Sequence, residues 1–147
     1  MGASRQDAEL TRALMEMHRE VRAVLGAVAR RSELTSQQIE MLCVLEHRVP
    51  SFRELAELFG CDKTNITGMA DRLAGRGLVT REPDLEDRRV TRLRLTDEGA
   101  AFSARLKDAV AAEIDRRWSH LTAEDRTRLA TLAAPAEPNL SSRPTGR

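Results

Sequence analysis

Apolar residues set two different rhythms along this chain. From Gln6 to about Arg31, Leu10, Leu14, Met17, Val21, Val24 and Val28 recur at spacings of 4, 3, 4, 3 and 4. That period predicts one amphipathic helix with a single apolar seam. Arg12, Glu16, Arg19, Glu20 and Arg22 fall on the rest of its surface. Such a helix is roughly 40 Å long at 1.5 Å per residue, and its seam needs a partner helix, from this chain or a second copy. Leu78-Val79-Thr80-Arg81 and Val90-Thr91-Arg92-Leu93-Arg94-Leu95 instead alternate or are rich in β-branched residues. With the turn-forming Pro83-Asp84-Leu85-Glu86-Asp87 between them they predict a β-hairpin with a polar tip. Leu93 and Leu95 then face the core, and Arg92 and Arg94 face out.

Capping chemistry fixes the other starts. Thr35, Ser51 and Thr122 each precede an acid or amide by three residues (Gln38, Glu54 and Asp125). The hydroxyl accepts a backbone N–H and the longer side chain reaches back; Asp125 is expected to be too short to do so well. Thr96 precedes Asp97 and Glu98, two acids suited to the positive end of a helix, and Asp62 can cap a helix from Lys63. Helices are therefore expected near 6–31, 36–47, 52–58, 63–75, 97–119 and 123–134. Residues 135–147, rich in Pro and Ser, read as a disordered tail.

The two short helices joined by Gly60-Cys61-Asp62 have the spacing of a helix-turn-helix. Ala56 is small where the second helix crosses, Gly60 tolerates the positive φ of the turn, and Ile66 and Met69 fill the angle with Leu55 and Phe59. The second helix buries Ile66, Met69, Ala70 and Leu73. It turns Lys63, Thr64, Asn65, Thr67 and Gly68 outward. Short hydroxyls, an amide and one cation suit base edges and phosphates in a major groove, although the same groups also serve simply as caps and solvated surface. Gly68 costs roughly 1 kcal/mol relative to Ala in a helix interior and would let the backbone approach DNA closely.

Charge matters here through its distribution. The chain has 147 residues, a net charge of +1, 41% hydrophobic and 32% charged residues, which fits one domain or a compact pair of subdomains with a buried core. Of the 24 basic residues only Lys63 and Lys107 are lysine. Four of the seven residues from Arg88 to Arg94 are arginine. Such a run is useful against a polyanion, with Arg88 and Arg89 near the hairpin tip placed to enter a minor groove. Asp87 is placed to orient Arg89 through a carboxylate–guanidinium pair. Glu82, Asp84, Glu86 and Asp87 can neutralise part of the run, and Arg92 fits a structural or a phosphate-facing role equally.

The segment Asp87-Arg88-Arg89-Val90-Thr91-Arg92-Leu93-Arg94-Leu95-Thr96-Asp97-Glu98-Gly99 resembles the D-x-R-x-x-x-[VL]-x-L-T-x-x-G wing signature of MarR-type transcriptional regulators. Glu54-Leu55-Ala56-Glu57-Leu58 and Asp71-Arg72-Leu73-Ala74-Gly75-Arg76-Gly77-Leu78-Val79 are similar to that family's helix-turn-helix and its exit, and the order of elements matches from about residue 6 to 134. The resemblance implies a mainly α fold with a small β-hairpin wing, a winged helix-turn-helix plus a helical dimerisation region. Its parts would be a dimerisation helix over 1–34, a DNA-binding domain over 35–96, dimerisation helices over 97–134 and the tail over 135–147. It implies a cytoplasmic homodimer that binds double-stranded DNA at a palindromic operator, acting as a repressor, with release by a small-molecule effector. By position it puts Lys63, Thr64, Asn65, Thr67, Gly68 and Arg72 on the recognition helix, Arg88 and Arg89 on the wing, and Asp87 as the partner of Arg89. The dimer interface is expected to lean on the first helix and on Phe102, Leu106, Val110, Ile114 and Trp118. His18 is the candidate for effector contact, although no Tyr, three Phe and one Trp leave little for an aromatic pocket.

Other chemistries find less support. No run approaches 18 apolar residues, so no membrane span is expected; the start MGASRQDAEL has no apolar h-region, so no secretory signal is expected. Cys43 lies on an apolar stripe and reads as a small buried hydrophobe. Cys61, near a helix N-terminus, is the candidate for a thiol-based redox-sensing alternative. His18, His47 and His120 lack ligand-spaced neighbours, so neither metal nor cofactor is expected. No nucleophile–base motif or phosphate loop points to an enzyme. A winged-helix module for protein association is the other alternative.

Overall fold

The computed structural model describes residues 4–134; the expected tail at 135–147 lies outside them. Six helices and one hairpin follow in the order α1 (Arg5–Ser32), α2 (Ser36–Leu45), α3 (Phe52–Phe59), α4 (Lys63–Gly75), β1 (Val79–Pro83), β2 (Thr91–Leu95), α5 (Asp97–Arg117) and α6 (Ala123–Ala133). The expected capping boxes form at Thr35/Gln38 and Ser51/Glu54. Asp125 corrects the expectation made for it: its Oδ2 accepts the Thr122 N–H at 3.1 Å, closing a full box. Ser4 and Asp7 do the same at the start of α1. In the first helical turn the side chain three residues on lies close enough to the cap amide that one methylene suffices.

Contacts divide the chain into two units, Met1–Ile114 and Asp115–Arg147. The core of the first is Val28, Ile39, Met41, Leu42, Leu55, Ile66, Leu73, Leu93 and their neighbours. The seam of α1 behaves differently at its two ends. Val24 and Val28 are buried, whereas Leu10 and Leu14 are each 59% exposed and Val21 40%. Leu106 corrects an expectation: it is buried in this chain's own core, with Phe102 and Val110 packed against the same cluster. Their period on α5 is shared by the core-facing side, which claims them first. In the second unit Arg126 pairs with Asp115 and donates to the carbonyl of Trp118 at 3.1 Å.

The hairpin is antiparallel, with Val79 opposite Leu95 and Pro83 opposite Thr91. Pro83 thus ends a strand rather than opening the turn. Leu93 is fully buried, Leu95 partly so, and Arg94 is exposed. The hairpin and α5 are locked by Thr96, whose hydroxyl donates to the Gly77 carbonyl at 2.6 Å and accepts the Gly99 N–H at 2.9 Å.

Glu46, just past α2, ties that helix to α5. Its Oε1 accepts the Ser103 hydroxyl at 2.7 Å and its Oε2 lies 2.6 Å from Lys107 Nζ. Burial works against ionisation of this carboxyl, but Lys107 and Ser103 outweigh it and hold its pKa below the usual 4.5. A carboxyl whose pKa is lowered on folding stabilises the native state above its unfolded pKa, and that contribution fades as pH falls through the folded value. Glu46→Gln is therefore expected to cost about 1–2 kcal/mol at neutral pH. The gap to wild type should narrow as pH falls from about 4.5 downward. Urea unfolding of both proteins at pH 7 and pH 3.5 checks this; a gap independent of pH would contradict it.

Candidate nucleic-acid interface

The helix-turn-helix is built as the sequence demands. Asp62 caps α4 by accepting the Asn65 N–H at 2.8 Å. Gly60 ends α3 at φ 58°, a left-handed conformation that suits glycine. Ile66, Met69, Ala70 and Leu73 are buried, so the angle between the helices is set by core packing. The opposite side of α4 carries Lys63, Thr64, Asn65 and Gly68, all exposed, and Thr67, half-exposed. The Thr67 hydroxyl donates to the Lys63 carbonyl at 2.9 Å. A Cβ at Gly68 would meet nothing within 4 Å, so packing within the fold gives no reason for glycine there.

The arginines of the hairpin sort into two groups. Arg81 pairs with Asp71 at 2.5 Å and lies over the Phe52 ring. Arg94 pairs with Glu82 at 2.9 Å. Arg92 pairs with Asp84 and Glu54. Arg88 and Arg89 are exposed and, with Lys63 and Arg72 on α4, make no ion pair among the described residues. Carboxylates therefore pair with the arginines at the base of the wing, while Arg88 and Arg89 at its tip keep unpaired guanidinium groups beside the exposed Glu86 and Asp87.

Asp87 is placed differently from expectation. Its Oδ1 accepts the backbone N–H of Arg89 at 3.0 Å and not the guanidinium. Two residues apart in a tight turn, the short carboxylate folds over the amide while the guanidinium projects beyond its reach. Asp87 therefore shapes the backbone beneath Arg89.

Sequence-predicted residues from two elements meet in one place. A cleft of about 370 Å³ is lined by Lys63 and Thr67 of α4, by Arg89 of the wing, and by Ser51, Phe52, Arg53 and Arg81. Arg53 and Arg81 escaped the sequence reading. Arg53 stands two residues after the α3 cap, on the side facing the start of α4, and that position was the available signal. Arg72 and Arg88 do not line this cleft.

A second cavity, of about 790 Å³, lies among α1, α2 and α3 and is lined by His18, Arg22, Glu40, Cys43, Leu58 and Phe59 among others. Cys43 is half-buried, and burial first, then the nearby Glu46, pushes its thiol pKa up. That favours the inert protonated form. Cys61 is also half-buried, packed against the core at the turn. Among the described residues no three His, Cys, Asp or Glu side chains group as a metal site, and no helix is long and apolar enough to cross a membrane.

The family model described as the MarR family matches residues 34–91, which hold α2, the helix-turn-helix and most of the wing. The chain belongs to the MarR family. Within it, the chain is 41% identical over 71 residues to the transcriptional repressor NicR of Pseudomonas putida, a match covering 48% of this chain and 45% of NicR. The transcriptional repressor MdtR of Bacillus subtilis is 33% identical over 102 residues, covering 69% of this chain and 66% of MdtR. The chain spans about half the length of the first curated relatives it matches. Escherichia coli MarR in its apo form superposes with a TM-score of 0.74 at 25% identity, covering 88% of this chain and 96% of that one. A cysteine-to-serine mutant of the same protein, complexed with operator DNA, gives a TM-score of 0.68.

Proposed function

We propose that this MarR-family chain is a sequence-specific DNA-binding transcriptional regulator, a repressor acting as a homodimer on a palindromic operator. The observation that carries the reading is the sorting of charge. Carboxylates pair with Arg81, Arg92 and Arg94, while Lys63, Arg72, Arg88 and Arg89 stay unpaired among the described residues, on elements that also present Thr64, Asn65 and Thr67. Unneutralised cations beside short hydrogen-bonding groups suit a phosphate backbone flanking a readable groove. In this reading α4 lies in the major groove, and Arg89 reaches the flanking minor groove from a backbone shaped by Asp87. The E. coli MarR structure solved with operator DNA supports it. The reading is of a cytoplasmic binding protein, with no catalytic step.

Release fits the larger cavity. His18, Arg22 and Glu40 give it polar anchors, and Phe59 is the one aromatic among its lining residues. A small effector held there would wedge α1 against the helices that carry the DNA-reading face.

The test is binding to a duplex selected by the wild-type protein from a random-sequence pool, followed by fluorescence anisotropy at two salt concentrations. Affinity should fall steeply with salt, because cations that neutralise phosphates release counterions. Arg89→Ala should cost about 1–3 kcal/mol of affinity and leave the unfolding midpoint unchanged, since the side chain is exposed. Failure to select any duplex would sink the DNA reading and leave the face as a protein-docking surface. Unchanged affinity in Arg89→Ala would remove the wing from it.

A further inference from the structure

A two-stranded hairpin is marginal on its own, and the tip of this one, which carries Arg88 and Arg89, projects past its last paired residues, Pro83 and Thr91. Something must hold that tip at a fixed height over α4 if Arg89 is to meet a groove. We propose that Arg92 is the positioning residue for the wing tip, setting the placement of Arg89 without touching DNA itself; the inference rests on the DNA-binding reading above.

One guanidinium joins three segments. Its Nε donates to Asp84 Oδ1 at the root of the tip. Its NH1 donates to the Val49 carbonyl at 2.8 Å and to Glu54 Oε2 at 3.3 Å. Glu54 is itself fixed, because the same Oε2 accepts the Ser51 N–H at 2.6 Å in the α3 capping box. The backbone repeats the connection: Leu93 N–H donates to the Pro50 carbonyl at 3.0 Å, and Ser51 bridges Arg92. The start of α3 is thereby the anchor for β2.

The chain of contacts continues outward. Asp84 uses its second oxygen to accept the N–H groups of Glu86 at 3.1 Å and Asp87 at 3.0 Å. Its own N–H donates to the Val90 carbonyl at 2.8 Å, which closes the tip. Asp87 then accepts the N–H of Arg89. From the α3 cap through Arg92, Asp84 and Asp87, every step to Arg89 is a hydrogen bond. Hydrogen bonding from Arg92 and the tip amides holds the Asp84 carboxyl below the usual carboxylate range, so it stays ionised at neutral pH. The alternative, Arg92 as a phosphate ligand, is disfavoured because its Nε and NH1 already serve two carboxylates and a carbonyl, and its side chain is only 32% exposed.

The test uses the full chain and the duplex selected by the wild-type protein. Arg92→Met removes the fork and keeps the stem. Asp84→Asn keeps an oxygen for the tip amides and removes the charge that Arg92 holds. Each is measured alone and combined with Arg89→Ala, by anisotropy and by hydroxyl-radical footprinting, with circular dichroism to confirm folding. Each single change should weaken binding about tenfold, and the doubles no more than about twofold beyond Arg89→Ala, because both act through one contact. Protection should vanish at the flanking minor groove and persist at the major groove under α4. Doubles whose losses multiply to about a hundredfold, the sign of independent sites, would overturn the inference, as would loss of major-groove protection. If Arg92→Met fails to fold, Asp84→Asn decides alone by the same criteria. A wild-type protein that selects no duplex overturns the DNA reading and this inference together; one that does, with Arg89 contributing independently of Arg92, overturns only the positioning role.

Discussion

Replacing Gly99 by alanine is expected to destabilise the chain by about 3 kcal/mol or more, at the upper end of what overpacking usually costs. A Cβ built on Gly99 lies 1.8 Å from the carbonyl oxygen of Leu78 and 2.8 Å from its carbonyl carbon. Both are backbone atoms at the start of the hairpin, so no side-chain rotation relieves the overlap. That carbonyl also accepts the Thr96 N–H at 3.1 Å. The first turn of α5 would have to lift from β1 and lose the Thr96 contacts to Gly77 and Gly99. The sign makes the prediction sharp, because Gly→Ala within a helix normally stabilises by about 0.5–1 kcal/mol. Gly68→Ala is the internal control. Its Cβ meets nothing within 4 Å, so it should gain about 0.5–1 kcal/mol. Denaturant midpoints of the two variants should move in opposite directions. A Gly99→Ala protein as stable as wild type would mean that α5 does not sit against β1 as described.

The same glycine shows where legibility in the sequence ends. Gly99 stands out there only as the last letter of a wing signature, whereas its physical reason is a contact with Leu78 that needs the folded chain. Features set by neighbours a few residues apart were readable: the caps at Thr35, Ser51 and Asp62, the left-handed Gly60, and the buried stripe of Ile66, Met69, Ala70 and Leu73. Which arginine is neutralised was not. Arg92 stands opposite Glu82 in the strand register, yet Glu82 takes the diagonal Arg94. Arg92 instead reaches Val49 and Glu54, 43 and 38 residues away in sequence. For Leu106, a helical period says that a side of α5 is apolar and leaves open whether this chain's core or a second copy covers it; the core does. Asp87 failed on direction, since spacing brings a carboxylate near an arginine without saying whether the amide or the guanidinium is within reach.

Leu14→Glu is expected to have the largest effect on DNA binding, about 10²–10⁴-fold on a palindromic duplex, while leaving the fold of the single chain in place. Leu14 and Leu10 are each 59% exposed, on the half of α1 whose seam this chain's core does not cover, whereas Val24 and Val28 farther along the seam are buried. An apolar seam continuing past its own core calls for a second helix. In the proposed homodimer that helix is a second copy of α1. A carboxylate placed there must be desolvated on association, which opposes the dimer. Two recognition helices held together make the second half-site contact intramolecular, and linkage of this kind is worth about 10²–10⁴-fold over either site alone. The variant should therefore elute as a monomer and bind the palindrome no more tightly than wild type binds a single half-site, with a far-UV spectrum like that of wild type. Sedimentation and anisotropy on whole and half operators separate the outcomes. A monomer that still binds the palindrome at wild-type affinity would show that two-fold symmetry is not how this chain reads DNA. A dimer that persists would show that the contact between copies lies away from the exposed end of α1.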